Sequence, residues 1–240
     1  MTDVPELDSF ATPSIAVVIG ATGGIGQAFM AQLTQSDRFS HVVGFSRTTD
    51  PALDFTKPDG IAACVQYLRD LSGDVRLIID ATGYLHDDTH QPEKSLRHID
   101  ADYMAKQFLI NAIGPALLMK HFCPLLPRDG KSVFATLSAK VGSISDNRMG
   151  GWYGYRAAKA ALNQLVKCSA IEIGRSKHDA VCVALHPGTV DTGLSGPFAK
   201  SGLKVQTPIE AATNMLRVID GLSAKQSGGF YAYDGENLPW

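Results

Sequence analysis

Short apolar runs rich in β-branched residues alternate along this chain with longer segments of helical periodicity, and that alternation narrows the fold to one class. Residues 14–20 read as a first strand and 24–33 as its helix. Residues 41–45 and 52–55 read as a second strand and a short third one, followed by a helix over 61–71 and a fourth strand over 75–79. A long helical stretch over 99–122 leads to a strand at 132–137, and another over 153–173 leads to a sixth strand at 180–185. Thr207, Pro208 and Glu210 together spell a capped helix start, and 230–233 form a last strand. Strands apolar on both faces must be covered on both, so the pattern predicts an α/β fold with a doubly wound parallel sheet of about seven strands. Right-handed crossovers then place any ligand at the carboxyl ends of those strands.

The 240 residues suffice for one large domain with its own core, and no linker or repeat divides them. A net charge of -2 argues against a nucleic-acid or anionic-membrane partner. The apolar runs at 15–19, 77–79 and 181–185 are strand-length, short of a membrane span. Residues 1–13 are polar, lack the features of a secretory signal and are expected to form a flexible extension. Cys64, Cys123, Cys168 and Cys182 are widely spaced and read as reduced thiols, so a cytoplasmic location is expected.

The first strand runs into Gly20-Ala21-Thr22-Gly23-Gly24-Ile25-Gly26 and then directly into a helix. Glycines there let the backbone approach a pyrophosphate, while the helix start offers free N–H groups and the positive end of its dipole. The spacing is G-x-x-x-G-x-G, and without a ligand the same residues would be a plain strand–helix turn. At the end of the second strand stand Phe45, Ser46 and Arg47. Ser46 leaves space where a carboxylate would repel a phosphate, and Arg47 can fork onto one, so NADP(H) is favoured with NAD(H) still open.

Tyr155 and Lys159 lie four apart near the start of a helix and therefore share a face. A free tyrosine has a pKa of about 10, too high for ready proton exchange at neutral pH. A fixed lysine charge, helped by an oxidised nicotinamide ring, favours the phenolate and equips Tyr155 to exchange a proton with a substrate oxygen.

Taken in order, the bend at Gly20 to Gly26, Asn111, Ser138, Tyr155 with Lys159, and Pro187-Gly188 resemble the short-chain dehydrogenase/reductase superfamily. The stretch Leu137-Ser138-Ala139-Lys140-Val141-Gly142-Ser143-Ile144 and the ending Leu238-Pro239-Trp240 look most similar to C-factor-like and Sniffer-like carbonyl reductases. The resemblance implies a Rossmann fold and the reduction of a small or medium carbonyl compound to an alcohol. Tyr155 would be the general acid/base, Lys159 would tune it and hold the nicotinamide ribose, and Ser138 would bond the substrate oxygen. Asn111 would hold a water in a proton relay. Thr22, Gly23, Ile25, Asp54, Phe55, Ala81, Thr82 and Gly83 would line the cofactor on its adenosine and pyrophosphate side. Pro187, Gly188, Val190 and Thr192 would grip the carboxamide. The resemblance also implies a homodimer or homotetramer through the two long helices.

Three residues depart from the family pattern: Asp80 where an asparagine is usual, Ser138 farther from Tyr155 than usual, and Gly23 where many NADP-dependent relatives are basic. Ser143 is the alternative to Ser138. His86 to His90 reads as a solvated loop with no metal, His186 as a packed histidine, and Trp152 or Tyr153 as a possible substrate wall. Residues 193–206, rich in glycine, are expected to form a substrate flap. Two rival readings stay open: a nucleotide-binding sensor with incidental catalysis, and an NAD-dependent alcohol dehydrogenase.

Overall fold

The first strand, β1 (Ser14–Ile19), is buried along its whole length, with Ile15, Val17 and Ile19 in one hydrophobic cluster and Ala16 and Val18 in the other. Period-two alternation thus supplies apolar side chains to both faces of a central strand. The computed structural model describes residues 4–194 and 204–240. Around β1 the chain lays down α1 (Gly24–Thr34), β2 (Phe39–Phe45), α2 (Asp59–Arg69), β3 (Asp74–Asp80), α3 (Ala101–Phe108) and α4 (Gly114–Phe122). Then follow β4 (Ser132–Leu137), α5 (Tyr153–Gly174), β5 (Ala180–His186), the short β6 (Thr189–Val190) and β7 (Val205–Gln206), α6 (Pro208–Gly221) and β8 (Phe230–Ala232).

Six strands pair in the order β2-β1-β3-β4-β5-β8, every pair parallel. One cluster, under α1 and α6, holds Phe29, Leu33, Met215 and Ile219; the other, under α2, α4 and α5, holds Ile61, Leu68, Phe122 and Leu162. The chain reverses direction across the sheet between β1 and β3, which opens a crevice at their carboxyl ends. Thr207 caps α6 in a reciprocal capping box with Glu210, as the sequence predicts.

Three expectations are corrected. Residues 52–55 form no strand of the sheet: Leu53 is buried and its N–H donates to Ser46 O, but Asp54 turns back to accept from Thr56 and joins only an isolated bridge with Lys57. The long helix over 99–122 is interrupted, since Leu109–Ile113 forms a π turn between α3 and α4. Residues 4–13 are docked rather than flexible. Leu7 and Phe10 are buried, Phe10 packs on Phe39 with ring centroids 5.8 Å apart, and Ser9 bonds the Asp220 carboxylate.

The composite helix Ala101–Leu125 is long and apolar enough to cross a membrane, yet 44% of its most apolar stretch is buried. Leu118, Met119 and Phe122 belong to the core cluster beneath it, so its apolarity is used in packing.

Candidate active site

At the first bend, Gly20 has a φ of +80° and lies so close to the next strand that a Cβ would stand 3.0 Å from the Ala81 backbone. A Cβ on Gly26 would fall 2.1 Å from Gly20 O, so only glycine lets α1 start this near the strand. Among the described residues no side chain caps α1, and its opening turn faces the crevice end of the sheet with its N–H groups and positive dipole. This cradle fits a pyrophosphate. Thr192 leans over it, with its methyl 3.0 Å from where a Cβ of Gly24 would be. Thr22, Gly23 and Ile25 complete the bend, and Ala81 ties it to β3 through a 2.8 Å bond from its N–H to Ile19 O.

Beyond the bend, Ser46 is buried and its Oγ accepts from Thr48 N at 3.2 Å, which shapes the turn carrying the exposed Arg47. The Arg47 charge helps lower the Asp54 carboxyl below its ordinary range, behind hydrogen bonds from Thr56 and the charge of Lys57. Phe55 instead packs toward α4, where a Cβ on Gly114 would lie 2.3 Å from its ring.

On the nicotinamide side, Pro187 O accepts from Gln206 Nε2 at 3.0 Å, and Gln206 Oε1 accepts from Asn214 of α6 at 2.9 Å. β6 and β7 pair through Thr189↔Val205 and Val190↔Gln206, so the turn through Gly188 is fixed from both ends. Of the expected flap, residues 195–203 lie outside the described residues; His86 Nε2 lies 3.1 Å from Gly193 O at its start.

Tyr155 and Lys159 are both buried on one face of α5, with Lys159 Nζ 5.9 Å from the Tyr155 ring centroid. Lys159 donates to Leu137 O at 2.7 Å, which anchors the ammonium at the carboxyl end of β4. Burial pushes the Lys159 ammonium down to about 8, opposed by the Asp80 carboxylate, and burial alone pushes the Tyr155 phenol above its ordinary range. The shift of the tyrosine thus runs opposite to the expected lowering, and its cause is desolvation.

Ser138, at the end of β4, is buried and its hydroxyl donates to Asn163 Oδ1 at 2.7 Å. Ser143 is also buried, and its Oγ accepts from Asp146 N at 3.2 Å. Asn111 sits in the π turn, where Nδ2 donates to Tyr84 O and Gln107 Oε1, both at 2.7 Å, and Oδ1 accepts from Tyr84 N at 3.0 Å. Its amide therefore ties the π turn to the segment after Gly83. Such turns recur at functional sites. Asp80 is fully buried: it accepts from Thr82 N and Oγ1 and from Thr136 Oγ1, and burial raises its carboxyl.

Two members escaped the sequence reading. Asn163 lies one further turn along the Tyr155–Lys159 face, so its spacing could have found it. Glu93 has no such signal, because it reaches the start of α5 from a distant loop. The segment from His86 to His90 is organised by Asp87, which accepts from Tyr84, Thr89 and Lys106. His186 is mostly buried, its Nδ1 is unpaired among the described residues, and burial pushes the imidazole down to about 4. Trp152 packs edge-on against Tyr155 with centroids 6.2 Å apart.

A family model described as enoyl-(acyl carrier protein) reductase matches residues 27–225. Over 143 residues the chain is 38% identical to the C-signal of Myxococcus xanthus, covering 59% of this chain and 82% of that protein. Over 238 residues it is 29% identical to 1-hydroxy-2-glutathionyl-2-methyl-3-butene dehydrogenase of Rhodococcus sp. (strain AD45), covering 95% and 100% of the two. An NADPH-bound carbonyl reductase from chicken fatty liver superposes with a TM-score of 0.82 at 26% identity, over 96% of this chain and 100% of that one. The carbonyl reductase Sniffer of D. melanogaster shares the fold, with a TM-score of 0.80 at 22% identity over 95% and 99% of the chains. With an open glycine cradle facing a buried tyrosine–lysine pair across one parallel sheet, and relatives matched along nearly its whole length, this chain belongs to the short-chain dehydrogenase/reductase superfamily of oxidoreductases.

Proposed function

We propose that this protein reduces a small or medium carbonyl compound to an alcohol with NADPH. One observation carries the reading: Tyr155 and Lys159 lie buried on one face of α5, and Lys159 is held at the carboxyl end of β4 by Leu137 O. The reduced nicotinamide, when bound, supplies the hydride. Lys159 holds the ribose and keeps a positive charge beside Tyr155, whose phenol donates a proton to the substrate oxygen. Ser138 turns about one bond from Asn163 to donate to that same oxygen, and Ser143 is the alternative. Asn111 is assigned the relay water by the family resemblance, and its side-chain amide, engaged with Tyr84 and Gln107, fixes it in the π turn.

The exposed Arg47 beyond the buried Ser46 supports NADP(H), as do the NADP-bound neighbours. Ile113 at the end of the π turn and Ile171 on α5, 49% and 54% exposed, support a homo-oligomer that buries these two helical segments. The likeness to C-signal favours a second reading, in which nucleotide binding serves signalling. A binding protein has no need of a buried phenol–ammonium pair, so catalysis is the stronger reading.

The test follows NADPH oxidation over a panel of carbonyl compounds, with NADPH and NADH titrated by fluorescence. Tyr155→Phe should lower turnover by about two orders of magnitude while leaving the cofactor Kd nearly intact. Full turnover in that variant removes the assigned acid, a preference for NADH removes Arg47 from its role, and a natural protein that reduces nothing on the panel favours signalling.

A further inference from the structure

The backbone enters α5 through three left-handed residues: Gly150 at φ +64°, Gly151 at +67° and Trp152 at +53°. Glycine adopts this conformation freely, but for tryptophan it is unfavourable and must be held by its surroundings. The holding group is Glu93, from the segment before α3, and it is 2% exposed. Its main-chain oxygen accepts from Trp152 N at 2.5 Å, and its Oε1 accepts from Gly154 N at 3.1 Å. Among the described residues no side chain of α5 itself caps that end. A carboxylate some sixty positions upstream in sequence thus performs the capping, next to the positive end of the helix dipole.

Room for this contact depends on Gly154, since a Cβ there would stand 2.9 Å from Glu93 Oε1 and 3.3 Å from Gln107 Cγ. Gln107 is the same residue that accepts from Asn111, so the clamp abuts the amide network of the π turn. Among the described residues Glu93 Oε2 is buried with no partner, a costly arrangement for a carboxylate that gains only one cap bond there. Trp152, held by Glu93, rests its ring edge-on against Tyr155, the next helical residue but two.

We propose that Glu93 is a positioning residue, whose carboxylate clamps the first turn of α5 through Gly154 N and so steadies Trp152, already bonded to its main chain, with the Tyr155 phenol pointing at the reacting carbonyl. The catalytic consequence rests on the acid/base role given to Tyr155 above, whereas the seating of Trp152 does not. Replacing the side chain leaves the main-chain bond to Trp152 N but takes the carboxylate from Gly154 N, which loosens the first turn on which Trp152 and Tyr155 sit. A displacement of about 1 Å at the phenol lowers the chemical step without touching the glycine cradle.

Glu93→Ala and Glu93→Gln are compared in a Trp240→Phe background, where Trp152 is the single tryptophan emitter. In Glu93→Ala, kcat for the best carbonyl on the panel should fall about tenfold or more with the NADPH Kd unchanged. The Trp152 emission should shift to the red and lose anisotropy. Glutamine keeps an oxygen for Gly154 N and should restore both. If Glu93→Ala does not fold, Gly154→Ala takes its place, because its methyl displaces the carboxylate while alanine favours the helix; the same losses are expected. A folded variant with unaltered Trp152 emission, altered emission with unaltered kcat, or a glutamine variant no better than alanine would overturn the proposal. If the natural protein reduces no carbonyl, the functional reading fails, and the emission still decides whether Glu93 seats Trp152.

Discussion

Individual residues at the carboxyl ends of the strands carry charges that burial disfavours, and His186 is the one whose titration is most accessible. Burial, then the Lys140 charge, hold its imidazole at about 4 against an ordinary 6.5, with Asp234 opposing. Between those values the unfolded chain takes up a proton that the folded chain refuses. Stability present above pH 6.5 is therefore lost as the solution is acidified toward pH 4. His186→Asn should blunt this loss, seen as a smaller fall in urea midpoint between about pH 7 and about pH 5. Equal acid sensitivity in the two proteins would show that the imidazole is not what titrates. At this scale the sequence is a good guide where spacing alone decides contact, as for Tyr155 with Lys159. It is a poor guide where a hydroxyl or amide chooses among partners: nothing in the order of residues says that Ser138 meets Asn163, or that Asn111 spends its amide on Tyr84 and Gln107.

Elements were legible in proportion to their periodicity. The central strands and the capped α6 follow from buried alternation and from Thr207 with Glu210, both local signals. Residues 52–55 have strand composition without a strand, because Asp54 finds its hydrogen bonds within the turn through Thr56. The π turn is a local change of hydrogen-bond register inside one continuous helical run, and the composition of that run does not mark it. The bend before α1 is the element most intolerant of change. Gly26→Ala would press a methyl to 2.1 Å from Gly20 O, and the backbone must move. Its unfolding free energy should drop by about 1–3 kcal/mol, and its NADPH Kd should rise. Unchanged affinity by fluorescence titration would mean that the pyrophosphate does not rest on that bend.

Across the whole molecule, residues 4–13 pack against the cluster that α1 and α6 cover. Leu7 and Phe10 join the cluster beneath α1 and α6, and Lys131 bonds Ser9 Oγ, Ile219 O and Asp220 O, so the segment and the end of α6 hold one another. Polar composition hid this, since only two apolar side chains need to be inserted for the segment to dock. Phe10→Ala should cost about 3 kcal/mol of unfolding free energy by urea titration; a loss below about 0.5 kcal/mol would mean that the segment contributes little. The opposite edge obeys a different logic. With Gln206 bonded to Pro187 and to Asn214, and β6 lying beside β7, the two ends of the connection between those strands are held together. Where two ends are already joined, the entropy of closing the chain between them grows only logarithmically with its length. A change in the number of residues between β6 and β7 should therefore cost little stability, provided that Thr192, which leans over the glycine cradle, stays in place.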